Sequence, residues 1–209
     1  MKLIYLLFVI AVTYSGRLMS QTVNSPDGDI RIEFSLVGQS RHNYPEGTPM
    51  YAVSYKGKPF LLSSRLGFDV LGTAGIKSFL KVSDVLRTER RSTWKPVYGE
   101  RGEYPDNYNE MSVVLEETLF PHRKLKIIFR AYNEGIAFRY EIPAQKGFEK
   151  VVINRELTEF VFPQYTSVWQ SYGHEGKYSK VYVNEIQPNC ELPLTCMTAN
   201  GVYGAIFEA

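Results

Sequence analysis

The sequence lacks the motifs that bind nucleotides and those that serve the commonest hydrolytic and metal chemistries. No glycine-rich phosphate loop, G-x-S-x-G nucleophile turn, H-E-x-x-H zinc motif or EF-hand loop occurs in its 209 residues. An excess of one charge is also missing, because 24 Lys and Arg stand against 22 Asp and Glu. A protein that follows a phosphate backbone needs a basic patch, so nucleic acid is not an expected partner.

Cysteine is scarce, and the two that occur, Cys190 and Cys196, lie close together late in the chain. A disulfide between them would close a short loop and add only about 2 to 3 kcal/mol. Their spacing does not match a zinc knuckle, and the nearest histidine, His174, is distant in sequence. Free thiols packed near a strand are the favoured interpretation, with a bridge as the alternative.

Histidine is also rare, with three in the chain: His42, His122 and His174. They are dispersed among turn-like sequences, far from one another. We expect each to be a surface or capping residue and not a catalytic base.

The N-terminal segment has the pattern of an export signal. Lys2 precedes an apolar stretch at residues 3–12, and the chain becomes small and polar before Gln21. The apolar stretch is shorter than the roughly twenty residues of a spanning helix, which favours a cleaved signal peptide over a retained membrane anchor. We expect residues 1–20 to be removed after Ser20, leaving a periplasmic or secreted chain with no membrane contact.

The rest of the chain is a succession of β-strand patterns. Aromatic residues make up 14% of the sequence, and Tyr and Phe favour half-buried pleated surfaces. Apolar and polar residues alternate in five segments, 30–36, 51–55, 111–115, 125–131 and 136–142. Turn sequences lie at 25–28, 56–59 and 133–135. These patterns predict one all-β domain over residues 21–209.

One segment, residues 77–91, is ambiguous. Its apolar spacing fits either a helix or a strand followed by a charged turn, and no capping residue decides between them. Prolines recur throughout the chain, which suits the strands and loops of a sandwich better than βαβ units.

Four carboxylates crowd the segment 98–110: Glu100, Glu103, Asp106 and Glu110. Two carboxyl groups about 5 to 10 Å apart can perform glycoside hydrolysis, and carboxylate clusters also bind cations. The alternative is a solvated polar loop between strands, which the spacing alone favours.

Aromatic residues are concentrated in a second segment, which contains Tyr165, Trp169, Tyr172 and Tyr178. Flat aromatic faces suit the apolar face of a pyranose, so these four residues are candidates for a sugar-stacking platform. Packing within a sheet is the alternative, and it is the commoner fate of aromatic residues in β proteins.

Several motifs, in order along the chain, resemble one enzyme family. They are SPDG at 25–28, YKGK at 55–58, LGF at 66–68, WKPVYGE at 94–100, YNE at 108–110, RAYNEGIAFRY at 130–140, PLT at 193–195 and AIFEA at 205–209. In these motifs the chain resembles the N-terminal domain of glycoside hydrolase family 97, a family of exported bacterial α-glucosidases and α-galactosidases. The resemblance covers essentially the whole chain.

This resemblance implies a β-super-sandwich of the galactose-mutarotase-like kind, with two large, mostly antiparallel sheets. In the family this domain packs against a downstream catalytic (β/α)8 barrel, which holds the general acid and the base or nucleophile. No catalytic residue is therefore expected in this chain. Glu208 matches the family Glu that binds the active-site Ca²⁺, and since Ca²⁺ takes about six to eight oxygen ligands, the others would come from the barrel.

The sequence ends inside that last motif. We therefore expect an accessory domain of a calcium-dependent, exo-acting α-glycosidase, truncated before the barrel and inactive alone. Whether the parent enzyme cleaves α-glucosides or α-galactosides, with retention or inversion, is left open. One alternative is a freestanding carbohydrate-binding module, supported only by the aromatic residues at 165–178, and another is a mutarotase-like epimerase, which three dispersed histidines disfavour.

Overall fold

The computed structural model describes residues 20–39, 44–173 and 176–208. Residues 1–19 of the expected signal peptide, together with His42 and His174, lie outside these described residues. No helix in the described ranges is long and apolar enough to cross a membrane.

The described chain is built almost entirely of antiparallel β-structure, which confirms the predicted all-β class. In chain order the strands are β1 (Gln21–Asn24), β2 (Ile30–Leu36), β3 (Pro49–Tyr55), β4 (Lys58–Arg65), β5 (Phe68–Val70), β6 (Leu80–Trp94), β7 (Tyr104–Glu117), β8 (Lys124–Tyr132), β9 (Ile136–Glu141), β10 (Ile153–Glu156), β11 (Ser167–Gln170), β12 (Ser179–Tyr182), β13 (Leu194–Met197) and β14 (Tyr203–Ile206). A 3-10 helical turn, Val183–Glu185, follows β12.

Four sheets result from the strand pairing. Strands β1 to β4 form one sheet in chain order, and β6 to β9 form a second in the same manner. A third sheet has the order β12-β11-β13-β14, and β5 pairs with β10 in a small fourth sheet. The turn predicted between β3 and β4 is present, with φ of 49° at Lys56 and 73° at Gly57. Two successive residues with positive φ are typical of a type I′ hairpin turn.

The ambiguous segment 77–91 is a strand for most of its length. β6 runs from Leu80 to Trp94 and pairs antiparallel with β7 along its whole length, with one irregularity between Val82 and Asp84. Since β6 is the edge strand of its sheet, this pairing satisfies the backbone groups that face β7, and it decides for a strand where the local sequence left a helix open.

The sheet of β1 to β4 and the sheet of β6 to β9 pack face to face to form the predicted sandwich. The fully buried side chains alternate along the strands, as their sequences predict: Ile32 and Phe34 on β2, Met111, Val113 and Leu115 on β7, and Leu125, Ile127 and Phe129 on β8. The Phe34 and Phe129 rings meet across the two sheets, with centroids 5.9 Å apart. This layer is the hydrophobic core of the domain.

The third sheet is attached to the sandwich by one of its faces. Val168 and Cys196 are fully buried on that face. Gly204 lies against the ring of Phe60, which belongs to β4 and also packs edge-on against Phe162. A Cβ atom at position 204 would collide with the Phe60 ring.

A buried ion pair closes the turn between β7 and β8. The Arg123 Nε donates to Glu117 Oε2 at 2.8 Å, and the Arg123 backbone N–H donates to the same oxygen at 3.0 Å. The two side chains are only 5% and 10% exposed, and the guanidinium lies over the ring of Phe148. His122, expected to be a capping or surface residue, places its Nδ1 3.0 Å from the Glu117 carbonyl oxygen.

We predict that Arg123→Ala and Glu117→Ala each lower the free energy of unfolding by about 3 to 5 kcal/mol, because each leaves a buried charge without its partner. Replacing both together, with Met and Leu, costs less than either single change, since no unpaired charge remains. Urea denaturation measures these differences. Arg139→Ala is the control, because the pair of Arg139 with Glu141 is long and exposed, and its loss costs less than about 1 kcal/mol. Equal losses at Arg123 and Arg139 would contradict the assignment.

A second prediction concerns the attachment of the third sheet. Gly204→Ala lowers the free energy of unfolding by about 1 to 3 kcal/mol, because the new methyl group displaces the Phe60 ring. Gly102→Ala is the matched control, since a Cβ there has no neighbour within 4 Å, and its effect stays within about 0.5 kcal/mol. Denaturation curves of the two variants that coincide would show that the Gly204 contact is unimportant.

Candidate functional site

The predicted calcium ligand, Glu208, lies just beyond the last strand of the third sheet. It follows β14, which ends at Ile206 and is the outer strand of its sheet. Its side chain is exposed. The described residues contain no group of three or more His, Cys, Asp or Glu side chains that could hold a metal ion. The described part of the chain therefore does not by itself complete a metal site around Glu208.

The sheet before Glu208 sets where that carboxylate emerges. Thr195 on β13 pairs with Ala205 on β14, and the backbone of Gly204 packs against Phe60 of the sandwich. The Cys196 thiol donates to the Gly204 carbonyl oxygen at 3.3 Å. These contacts hold the strand that precedes Glu208 on two sides, so the carboxylate leaves from a fixed element.

Both cysteines are free thiols, in agreement with the favoured interpretation. Burial raises the pKa of the Cys196 thiol to about 11, so the thiolate is scarce at neutral pH. Cys196 is thus a packing residue of β13.

Three of the four carboxylates of segment 98–110 lie in separate ion pairs. Glu103 lies 2.8 Å from Lys95, Asp106 lies 3.2 Å from Arg90, and Glu110 lies 2.7 Å from Arg130. The alternative of a polar loop is also wrong for part of the segment, because Asp106 and Glu110 lie on β7. Their ion-pair partners on β6 and β8 could not be identified from the local sequence, since the sheet register decides them.

Three of the four aromatic residues at 165–178 have separate partners, and the fourth, Tyr178, is exposed. Trp169 is nearly parallel to Tyr203, with centroids 6.2 Å apart, and Tyr165 packs edge-on against Tyr182. The Tyr172 hydroxyl donates a hydrogen bond to the Gln187 carbonyl oxygen or to Gln170 Oε1. These contacts favour packing within and beside the sheet over one continuous sugar platform.

Sequence reasoning missed a pair of aromatic side chains on the longest hairpin. Trp94 and Tyr104 are register partners at the ends of β6 and β7, and their ring centroids lie 5.7 Å apart. The only signal for this pairing in the sequence was a polar turn flanked by two hairpin strands of matching length. That signal does not reveal the register of the two strands.

Comparison with known proteins places the domain in a family. The family model described as glycosyl-hydrolase 97 N-terminal matches residues 23–209. A curated relative, the retaining alpha-galactosidase of Bacteroides thetaiotaomicron, is 23% identical over 190 residues, which are 89% of this chain and 26% of the relative. The chain therefore spans about a quarter of the length of that relative.

Solved structures show the same fold. A glycoside hydrolase family 97 enzyme from Pseudoalteromonas sp. strain K8, in complex with acarbose, has a TM-score of 0.79 and 29% identity over 88% of this chain and 27% of its own. A variant of a family 97 enzyme from that strain, in complex with panose, has a TM-score of 0.78 and 28% identity over the same shares of the two chains. A beta-arabinopyranosidase, at 23% identity and a TM-score of 0.74 over 88% of this chain and 30% of its own, shares the fold. Since the family model spans nearly all of the sequence, the chain belongs to the glycosyl-hydrolase 97 N-terminal family.

Proposed function

We propose that this domain is the accessory domain of a calcium-dependent, exo-acting α-glycosidase and packs against a catalytic (β/α)8 barrel. The observation that carries the proposal is the match of the family model to residues 23–209, in a chain that spans about a quarter of its relatives. An isolated N-terminal domain of such an enzyme needs a partner domain to perform the chemistry. A leader at residues 1–20 would direct the protein to the periplasm or outside the cell.

In this proposal Glu208 supplies one ligand to a Ca²⁺ ion shared with the barrel. Its support is the exposed carboxylate directly after a strand that Phe60 and the β13 pairing hold in place. A carboxylate oxygen is a ligand that Ca²⁺ prefers. Bound Ca²⁺ would supply positive charge that orients and polarises substrate oxygens.

The substrate in this proposal is an oligosaccharide or glycan with a terminal α-linked sugar. The names of three similar proteins support this class: one is a retaining alpha-galactosidase, and two are solved family 97 enzymes in complex with panose or acarbose. The acid and base of the reaction would lie on the barrel, as the family resemblance implies. Within this domain Glu103, Asp106 and Glu110 are each paired with a separate base.

The two alternative functions have less support. A freestanding carbohydrate-binding module would use the aromatic residues at 165–178, whose rings contact separate partners. An epimerase of the mutarotase kind needs a paired acid and base with histidine, and His122, the one histidine within the described ranges, contacts a backbone carbonyl.

The first prediction from this proposal concerns the 209-residue chain by itself. It hydrolyses neither p-nitrophenyl α-glucoside nor p-nitrophenyl α-galactoside, and it binds Ca²⁺ more weakly than about 1 mM, because one carboxylate is far short of a full coordination shell. Release of nitrophenolate and calorimetric titration with CaCl₂ measure the two quantities. Turnover by the purified chain, or micromolar binding of Ca²⁺, would contradict the proposal.

The second prediction concerns the enzyme encoded by the complete gene, whose reading frame we expect to continue into a barrel. Glu208→Gln raises the Ca²⁺ concentration for half-maximal activity by about 10- to 100-fold, because it removes a charged ligand. Activity is titrated with Ca²⁺ after removal of the ion with EGTA. Glu134→Gln, at an exposed turn between β8 and β9, is the control and leaves the titration unchanged.

Either of two results would overturn this proposal. One is a reading frame that continues past codon 209 without the alternating strands and helices of a barrel. The other is an identical Ca²⁺ titration for the Glu208→Gln and Glu134→Gln enzymes.

A further inference from the structure

The outer end of the β6–β7 hairpin forms a concave surface that the proposed function does not use. Trp94 and Tyr104 lie opposite each other on the two strands, with ring planes inclined at 41°. Trp94 is 59% exposed, although it is one of only two tryptophans in the chain. A large aromatic side chain left open to water in this way marks a candidate contact surface.

An ion pair lies beside these rings on the same face of the hairpin. Side chains two residues apart along a strand point to the same face, and the strand register puts Ser92 opposite Asp106. Arg90 Nε lies 3.2 Å from Asp106 Oδ2 and donates to Ser92 Oγ at 2.9 Å. The Arg90 and Asp106 side chains remain 58% and 28% exposed, so further N–H groups and carboxylate lone pairs are open to a ligand.

The rings and the ion pair border one open cleft of about 340 Å³. It is lined by Arg90, Thr93, Trp94, Tyr104, Pro105 and Asp106. Small-molecule sites in proteins commonly occupy about 300 to 1,000 Å³, so the cleft has room for a single sugar ring and not for a long polymer segment.

The composition of the cleft selects the chemistry of its ligand. A purely apolar ligand would remove water from Arg90 and Asp106 without replacing their hydrogen bonds, which is costly. A phosphate would bind Arg90 but would be repelled by Asp106. A sugar hydroxyl can accept from the guanidinium and donate to the carboxylate at once, while the C–H face of the ring lies on an aromatic side chain.

We propose that this cleft is a binding site for one pyranose ring of a glycan. Trp94 and Tyr104 supply the stacking surface, and Arg90 and Asp106 bind adjacent hydroxyl groups. The proposal rests on the proposed function for its ligand class, since the parent enzyme would act on such glycans. The cleft lies on the sheet of β6 to β9, whereas Glu208 follows the sheet of β11 to β14, so binding here is separable from the calcium ligand.

The two tryptophans allow a direct test on the full chain. In a Trp169→Phe variant the remaining tryptophan is Trp94, and phenylalanine preserves the aromatic contact of residue 169 with Tyr203. We expect titration with panose or melibiose to change the Trp94 fluorescence in a saturable manner, with half-saturation at about 1 mM. Calorimetry of the unsubstituted chain with the same sugars provides a second reading.

Substitutions identify the groups that bind the sugar. Sugar binding is weakened about 10-fold by each of three substitutions: Trp94→Ala, Tyr104→Ala and Asp106→Asn. The first two are measured by calorimetry. Two controls leave it unchanged: Tyr203→Ala, at the aromatic pair that Tyr203 forms with Trp169, and Arg139→Met, on the same sheet as Trp94. Circular dichroism and the urea midpoint confirm that each variant is folded.

Three results would overturn the proposal. They are the absence of any sugar-dependent signal in both measurements up to about 10 mM, binding that Trp94→Ala does not weaken, and binding that Tyr203→Ala abolishes. None of these three results would change what we expect of the Ca²⁺ titration or of the activity of the complete enzyme. Conversely, Glu208→Gln leaves sugar binding at the cleft unchanged, so a failure of one proposal is distinguishable from a failure of the other.

Discussion

The mutual burial of two four-stranded sheets is the constraint on which the rest of this domain depends. Strands such as β2, β7 and β8 can alternate apolar and polar residues only because one face of each is covered by the opposite sheet. A shift of register by one residue would turn Phe34 or Phe129 out of the core. The same requirement fixes the outward faces, where ion pairs and exposed rings are placed at defined positions along the hairpins.

The third sheet depends on this core for its own position. It offers few buried residues, among them Val168 and Cys196, and it attaches where glycine allows the Phe60 ring to lie against the backbone of β14. Because Glu208 follows β14 directly, the geometry of that contact determines where its carboxylate is presented. The position of Glu208 thus depends on the contact that Phe60 of β4 makes with β14.

Local patterns predicted much of the fold and less of the surface chemistry. Strands β2, β3, β8 and β9, part of β7, and the turns at 25–28, 56–59 and 133–135 were predicted because a period of two and a turn sequence are local signals. Residues 77–91 were ambiguous since hydrogen bonding to β7 decides their conformation. The carboxylates at 98–110 looked like a cluster in sequence, but three of the four, Glu103, Asp106 and Glu110, bind different bases.

The sequence by itself determined the all-β class, the scarcity of catalytic motifs, the family, and Glu208 as the candidate calcium ligand. Only the tertiary structure decided which strands form the sandwich and which form the two further sheets, and that Trp94 and Tyr104 lie beside Arg90 and Asp106. The physical reason is the sequence separation over which each kind of interaction acts. Turn preferences and side-chain alternation act between near neighbours, whereas the pairing of strands and the packing of sheets depend on contacts between residues far apart in the chain.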